Sequence, residues 1–262
     1  MTTRTEYRHG DFSWVDLGTT DAEAAKRFYA ALFGWTSVDM PAGPGMTYTI
    51  CSLKEHNAAG IYKLSNEMLS QGVPPHWLPY VNVTNVDETT KKAAQNGGTV
   101  VKEPFDVMDV GRMSVIQDPT GATFAMWQAK RHIGAGIINE PGAMCWNELA
   151  TSNVDAAGKF YSATFGLTTD PMDMGPAGTY TIFEAGTERI GGMMALSPQM
   201  KGVPSHWLTY FAVADCDATV KKVGELGGKV LKPPTDVPNV GRFAVCQDGQ
   251  GAAFAVIKLQ SS

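Results

Sequence analysis

The sequence predicts an α+β chain made of two copies of one module, each copy holding two βαβββ units. Three observations lead there. Residues 13–35 (SWVDLGTTDAEAAKRFYAALFGW) return 132 positions later as residues 145–167 (CWNELATSNVDAAGKFYSATFGL). After a loss of two residues the register holds at an offset of 130, pairing VPPHWLPY at 73–80 with VPSHWLTY at 203–210, and DVGR at 109–112 with NVGR at 239–242. Within each copy, short alternating apolar runs and amphipathic stretches succeed one another in the order strand, helix, two or three strands, then the same again.

Each element has its own reason. FSWVDLGT at 12–19 alternates as a strand does. Asp21 is placed to cap the following helix and Glu23 adds negative charge to its first turn. Ala24, Ala25, Phe28, Tyr29 and Leu32 recur at helical spacing, and Gly34 ends the helix. Residues 47–53, 58–64 and 77–83 read as strands. Asp87 is expected to open a second helix that Gly97 and Gly98 stop, with strands at 99–107 and 111–117, a turn at 118–121 and a closing strand at 122–128. The copies are expected to span residues 10–129 and 142–260, and residues 130–141 are expected to form a linker. Its Ile133, Ile137 and Ile138 should pack on a surface. The glycine-rich stretches 40–48 and 172–180 carry no lysine and precede no helix, so they read as rims of a cavity and not as phosphate loops.

Composition narrows the function. Lys and Arg number 21 against 26 Asp and Glu, a formal charge of −5 with no basic run, which argues against nucleic acid and anionic lipid as partners. No apolar stretch approaches a membrane span, and the first dozen residues lack the apolar core of a signal peptide. Four cysteines without CxxC spacing read as reduced thiols in a cytoplasmic protein. A monomer or homodimer with a small-molecule ligand is the expectation.

The run Phe28-Tyr29 followed by Phe33-Gly34-Trp35, the Gly97-Gly98 pair, and GR with DPTGATFAMW (from Gly111 to Trp127) resemble the vicinal oxygen chelate superfamily, to which glyoxalase I, extradiol dioxygenases and bleomycin resistance proteins belong. The similarity is greatest to tandem two-module glyoxalase-like members. It implies tandem modules whose four βαβββ units form incomplete barrels, with a ligand or metal on the concave face. The ligand positions that the resemblance implies fall on Trp14, Leu78 and Ala125, and in the second copy on Trp146, Leu208 and Ala255. None of these side chains binds a metal, so neither a metal nor another cofactor is expected.

Strand periodicity then selects the polar groups of the same face. Asp16 lies two residues after Trp14 and Glu148 two after Trp146; His76 and Tyr80 flank Leu78, and His206 and Tyr210 flank Leu208. Glu148, Asp16, His206 and His76 are the acid/base candidates. Trp14, Trp146, Tyr80, Tyr210 and Trp127 are candidate walls, and Arg112 and Arg242 could clamp an anion or tie down a loop carboxylate. The competing reading makes the acids acceptors for backbone and the histidines caps of a strand entrance. Three functions stay open: metal-independent binding of a small, largely apolar oxygenated compound; a lyase, isomerase or hydroxylase with Glu148 or Asp16 as acid/base; and a purely structural module.

Overall fold

The computed structural model describes residues 2–43, 45–175 and 178–260. In the first module, strand β1 (Phe12–Thr19) leads into helix α1 (Ala22–Phe33), then β2 (Thr36–Gly43), β3 (Met46–Leu53) and β4 (His56–Lys63). A short helix α2 (Asn66–Ser70) precedes β5 (His76–Asn82), α3 (Val86–Gln95), β6 (Thr99–Val107), β7 (Gly111–Gln117) and β8 (Thr123–Ala129). The second module repeats this with β9 (Met144–Thr151), α4 (Val154–Phe165), β10 (Thr168–Asp173), β11 (Thr179–Ala185) and β12 (Glu188–Ala195). It continues with β13 (His206–Ala212), α5 (Cys216–Glu225), β14 (Lys229–Val237), β15 (Gly241–Gln247) and β16 (Ala253–Leu259).

Each module forms one curled eight-stranded sheet, in the order β2-β3-β4-β1-β5-β8-β7-β6 and its counterpart β10-β11-β12-β9-β13-β16-β15-β14. In each unit the helix carries the chain over, so β1 runs parallel to β4 and β5 parallel to β8. The two units meet through the antiparallel β1–β5 pair. Each copy therefore closes on itself rather than sharing a sheet with its sister. Strand β1 is buried along its whole length because it is central and covered on both faces.

Local chemistry sets the boundaries. Asp21 accepts the N–H of Ala24 (2.9 Å), and Gly34 ends α1 in the left-handed region (φ +76°) that glycine tolerates. The cap of α3 is Asn85, which accepts the N–H of Glu88; this corrects the expectation for Asp87, whose carboxylate is taken by Arg112. The stretch 40–48 also departs from expectation. It lies in the β2–β3 hairpin instead of forming a loop, because Met40 pairs with Tyr48 and Pro41 with Thr47; Pro44 is outside the described residues. In 172–180, Met172 pairs with Tyr180, while Pro176 and Ala177 are outside the described residues.

The core is shared between modules. Phe28 and Phe33 of α1 reach Phe254 and Phe211 of the second module at 6.2 and 4.9 Å between ring centres. Reciprocally, Phe160, Tyr161 and Phe165 of α4 lie 5.6–6.2 Å from Phe124 of the first. Two hydrogen bonds cross with them: Tyr29 donates to Asp248 (3.0 Å) and Tyr161 to Asp118 (2.9 Å). The other oxygen of each aspartate organises its own turn, accepting the N–H of Thr120 and Ala122 at Asp118, and of Gln250, Gly251 and Ala252 at Asp248. The segment joining the modules packs against β1, with Ala135 N–H on the Ser13 carbonyl (2.7 Å) and Ile137 and Ile138 buried. No helix among the described residues is long and apolar enough to cross a membrane. Cys51, Cys145, Cys216 and Cys246 are free thiols.

Candidate functional site

The face of each sheet opposite its helices carries the predicted acids with Tyr80 and Tyr210, and the two modules use it differently. In the first, Asp16 is 4% exposed. Its Oδ1 accepts from Trp14 Nε1 (2.7 Å) and from the Tyr48 hydroxyl, and its Oδ2 accepts from Tyr80 (2.6 Å). Burial pushes the Asp16 carboxyl above the usual range, and the three donors pull it partly back. Tyr48 reaches Asp16 from two strands away because the intervening residue is Gly60, paired with Asp16; a Cβ there would collide with the Tyr48 phenol and with Asp16 itself.

This face is also covered. His132 sits edge-on to Trp14 (4.7 Å between centres) and near Trp127 (5.8 Å), and Trp127 Nε1 donates to the His132 carbonyl (2.8 Å). The His132 Nε2 is buried without a hydrogen-bond partner, and burial pushes the imidazole down from 6.5 to about 4. The unfolded chain therefore takes up this proton first. The His132 contribution to stability is complete above pH 6.5 and is lost as pH falls toward 4, by up to about 3 kcal/mol. His132→Phe should flatten that part of the stability profile. Equal slopes for the two proteins between pH 7 and 4, measured by urea unfolding, would contradict it.

In the second module Glu148 and Trp146 are partly exposed, as is Tyr180. Tyr210 donates to Glu148 Oε1 (3.0 Å), while Trp146 Nε1 donates to the Tyr180 hydroxyl (2.8 Å), not to the carboxylate. Gly192, paired with Glu148, makes room for the Tyr180 ring as Gly60 does for Tyr48. Burial pushes the Glu148 carboxyl up; hydrogen bonds from Tyr210 and Tyr180, and the Lys232 charge, pull it back. Tyr180 and Tyr210 are held above their ordinary range, chiefly by burial and then by the Glu148 charge, so both remain hydrogen-bond donors.

Other predicted residues are engaged elsewhere. His76 and His206 donate through Nδ1 to the Pro74 and Pro204 carbonyls (2.8 and 2.9 Å), bracing the entrances of β5 and β13. Burial pushes the His76 imidazole down. Arg112 and Arg242 make the carboxylate tie that was one of the two expectations for them, with the carboxylate on a helix and not on a loop. Each lies on the helix side of its sheet, one residue out of phase with Met113 or Phe243, and clamps Asp87 or Asp217 in the first turn of α3 or α5 at 2.6–2.9 Å. Their guanidiniums tie strand to helix and make no bond to Asp16 or Glu148. Sequence reading missed Tyr48, Tyr180, Gly60, Gly192 and His132. The repeat pairs the first four, but only strand order brings them to the acids.

The sequence matches the family described as the Glyoxalase/Bleomycin resistance protein/Dioxygenase superfamily at residues 11–126 and again at 132–256. The chain belongs to this superfamily. "Putative glyoxylase CFP32" of Mycobacterium tuberculosis is 47% identical over 259 residues, covering 98% of each chain. "Anthracycline biosynthesis protein DnrV" of Streptomyces peucetius is 37% identical over 269 residues, covering 98% of this chain and 96% of its own. Among solved structures, the Mn(II)-bound glyoxalase of Novosphingobium aromaticivorans is similar in fold, with a TM-score of 0.67 at 13% identity over 97% of this chain and 83% of its own. A metal of that kind does not fit the residues of this superfamily member. The positions implied for its ligands hold Trp14, Leu78 and Ala125, and Trp146, Leu208 and Ala255. Among the described residues no three His, Cys, Asp or Glu side chains gather where they could hold an ion.

Proposed function

We propose that the second module binds a small, oxygenated organic molecule on its concave face without a metal, with the Glu148 carboxylate as its hydrogen-bond anchor. One observation carries this reading: of two matched acids, Asp16 is enclosed by three donors and lies on a face covered by Trp127 and His132, whereas Glu148 keeps a partly exposed site beside Trp146 and Tyr180. Aromatic walls around a few polar groups suit a flat, largely apolar ligand. The name of the Streptomyces relative directs the choice of probe toward hydroxylated polycyclic aromatics.

The test is a spectroscopic titration with 1,4-dihydroxyanthraquinone. Glu148→Gln keeps the size of the side chain and removes its charge, so affinity should fall by about 1.5–3 kcal/mol, the worth of a hydrogen bond to a charged group. Asp16→Asn should bind as the parent does. Equal affinity in Glu148→Gln, or a loss in Asp16→Asn, would overturn the assignment.

A second reading has its own support. The upward push on Glu148 is what a general acid or base acting near neutral pH needs. Turnover of a bound compound that vanishes in Glu148→Gln would favour an enzyme. Glyoxalase I chemistry is a poor fit, since its enediolate calls for a metal that the donor set here does not hold.

A further inference from the structure

The register of the second sheet lines up five residues straight across its concave face. Trp146 pairs with Tyr210, Tyr210 with Ala255, Ala255 with Val245, and Val245 with Lys232. Paired residues share a face, so the strip runs from an indole, past a phenol and two small aliphatic side chains, to an ammonium. Four strand spacings of about 4.8 Å give it a backbone length of roughly 19 Å, which the curl of the sheet shortens.

Lys232 stands exposed at the far end of this strip. Its Nζ lies 4.5 Å from the centre of the Phe243 ring, a cation–π contact. The Phe243 ring lies 6.0 Å from that of Tyr210, and the Tyr210 hydroxyl donates to Glu148. A continuous wall thus joins the ammonium to the carboxylate. The Lys232 charge reaches Glu148 and draws its carboxyl down against the effect of burial.

The first module has the same strip, Trp14–Tyr80–Ala125–Val115–Lys102, but differs in what surrounds it. Met113 stands where the second module has Phe243, and Trp127 where it has Ile257. Lys102 lies over Phe105 instead, at 5.8 Å. The linked lysine, phenylalanine, tyrosine and acid therefore belong to the second module.

We propose that Lys232 is the second pole of the Glu148 site, and that its ligand is a planar aromatic compound with a hydroxyl at one end and an anionic oxygen at the other. The hydroxyl donates to Glu148, the rings lie along Trp146, Tyr210 and Phe243 above the small Ala255 and Val245, and the anion meets Lys232. This rests on the proposed function and names the ligand class for that site.

Three probes separate the poles: 1,4-dihydroxyanthraquinone, its 6-sulfonate, and anthraquinone-2-sulfonate, which lacks the hydroxyls. The 6-sulfonate should bind the parent protein about tenfold more tightly than the unsulfonated compound, as a charge-assisted contact predicts. That advantage, read in each protein as the ratio of the two affinities, should shrink with added salt and disappear in Lys232→Met. Lys102→Met should retain it. Anthraquinone-2-sulfonate should bind weakly to the parent and lose no affinity in Glu148→Gln. No gain from the 6-sulfonate, or a gain that survives Lys232→Met, overturns the role of Lys232 while leaving the Glu148 site standing. Failure of the unsulfonated compound to bind overturns both.

Discussion

Replacing Tyr29 with alanine is expected to destabilise the protein by about 3–5 kcal/mol, the usual cost of truncating a buried aromatic ring. Both modules should unfold together. Tyr29 belongs to α1 of the first module and is fully buried among Phe28, Phe33, Trp35, Trp77 and Phe254, the last from the second module. Its hydroxyl accepts from Trp77 Nε1 (3.1 Å) while donating to Asp248 across the boundary. Tyr29→Phe isolates the polar part: it strands a buried indole N–H and one oxygen of Asp248, at about 1–3 kcal/mol. Guanidinium unfolding followed by tryptophan fluorescence and far-ultraviolet circular dichroism provides the check. The two probes should coincide, with an unchanged slope and an earlier midpoint. Separated transitions, or a loss below about 1 kcal/mol in Tyr29→Ala, would show that the modules stand independently.

The duplicated architecture was legible because it rests on local signals repeated twice. Asp21, Gly34 and the apolar spacing of α1 read the same way in the second copy, where Asn153 and Gly166 take the capping positions. The interlock was not legible. Phe28 and Phe33 announce an apolar helix face, but nothing local says that it covers the other module's sheet. The site was legible to the same depth. Period-2 alternation places Asp16 and Glu148 on one face with Tyr80 and Tyr210, and those contacts lie between directly paired strands, β1 with β5 and β9 with β13. Tyr48 and Tyr180 escape such reading because each crosses an intervening strand at a glycine. For Arg112 the sequence left an anion clamp and a carboxylate tie open; its phase puts it with Ser114, which bonds Thr90 of α3, on the helix side, and its partner there is Asp87. The linker's isoleucines were read as packing residues, whereas the consequential side chain beside them is His132, which no periodicity marks.

Valine placed at Gly60 and at Gly192 should give opposite outcomes from equivalent positions. Both glycines sit on the strand parallel to the acid's own, paired with Asp16 and Glu148, and neither has a positive φ, so a β-branched residue meets no backbone strain. The difference lies in what a new side chain strikes. At Gly60 it runs into the Tyr48 hydroxyl and Asp16, inside a network that also holds Trp14 and Tyr80 and is closed over by Trp127 and His132. Asp16 is buried and cannot withdraw, and Tyr48 cannot swing away without removing one of the three donors to Asp16. Gly60→Val should therefore lower stability by about 3 kcal/mol or more and leave binding at the second module intact in the folded fraction. At Gly192 the collision is with the Tyr180 ring, which is partly exposed and can swing outward. Gly192→Val should lower stability by only about 1 kcal/mol, since the displaced phenol regains water. Its effect falls on the site instead: Glu148 loses one of its two phenol neighbours and Trp146 Nε1 loses its acceptor, so affinity for 1,4-dihydroxyanthraquinone should drop about tenfold. Thermal unfolding and the binding titration, run on both variants, separate the cases. A Gly192→Val protein that binds normally would remove Tyr180 from the site, and a Gly60→Val protein of parental stability would mean that the Asp16 network is not the closed structural copy described above.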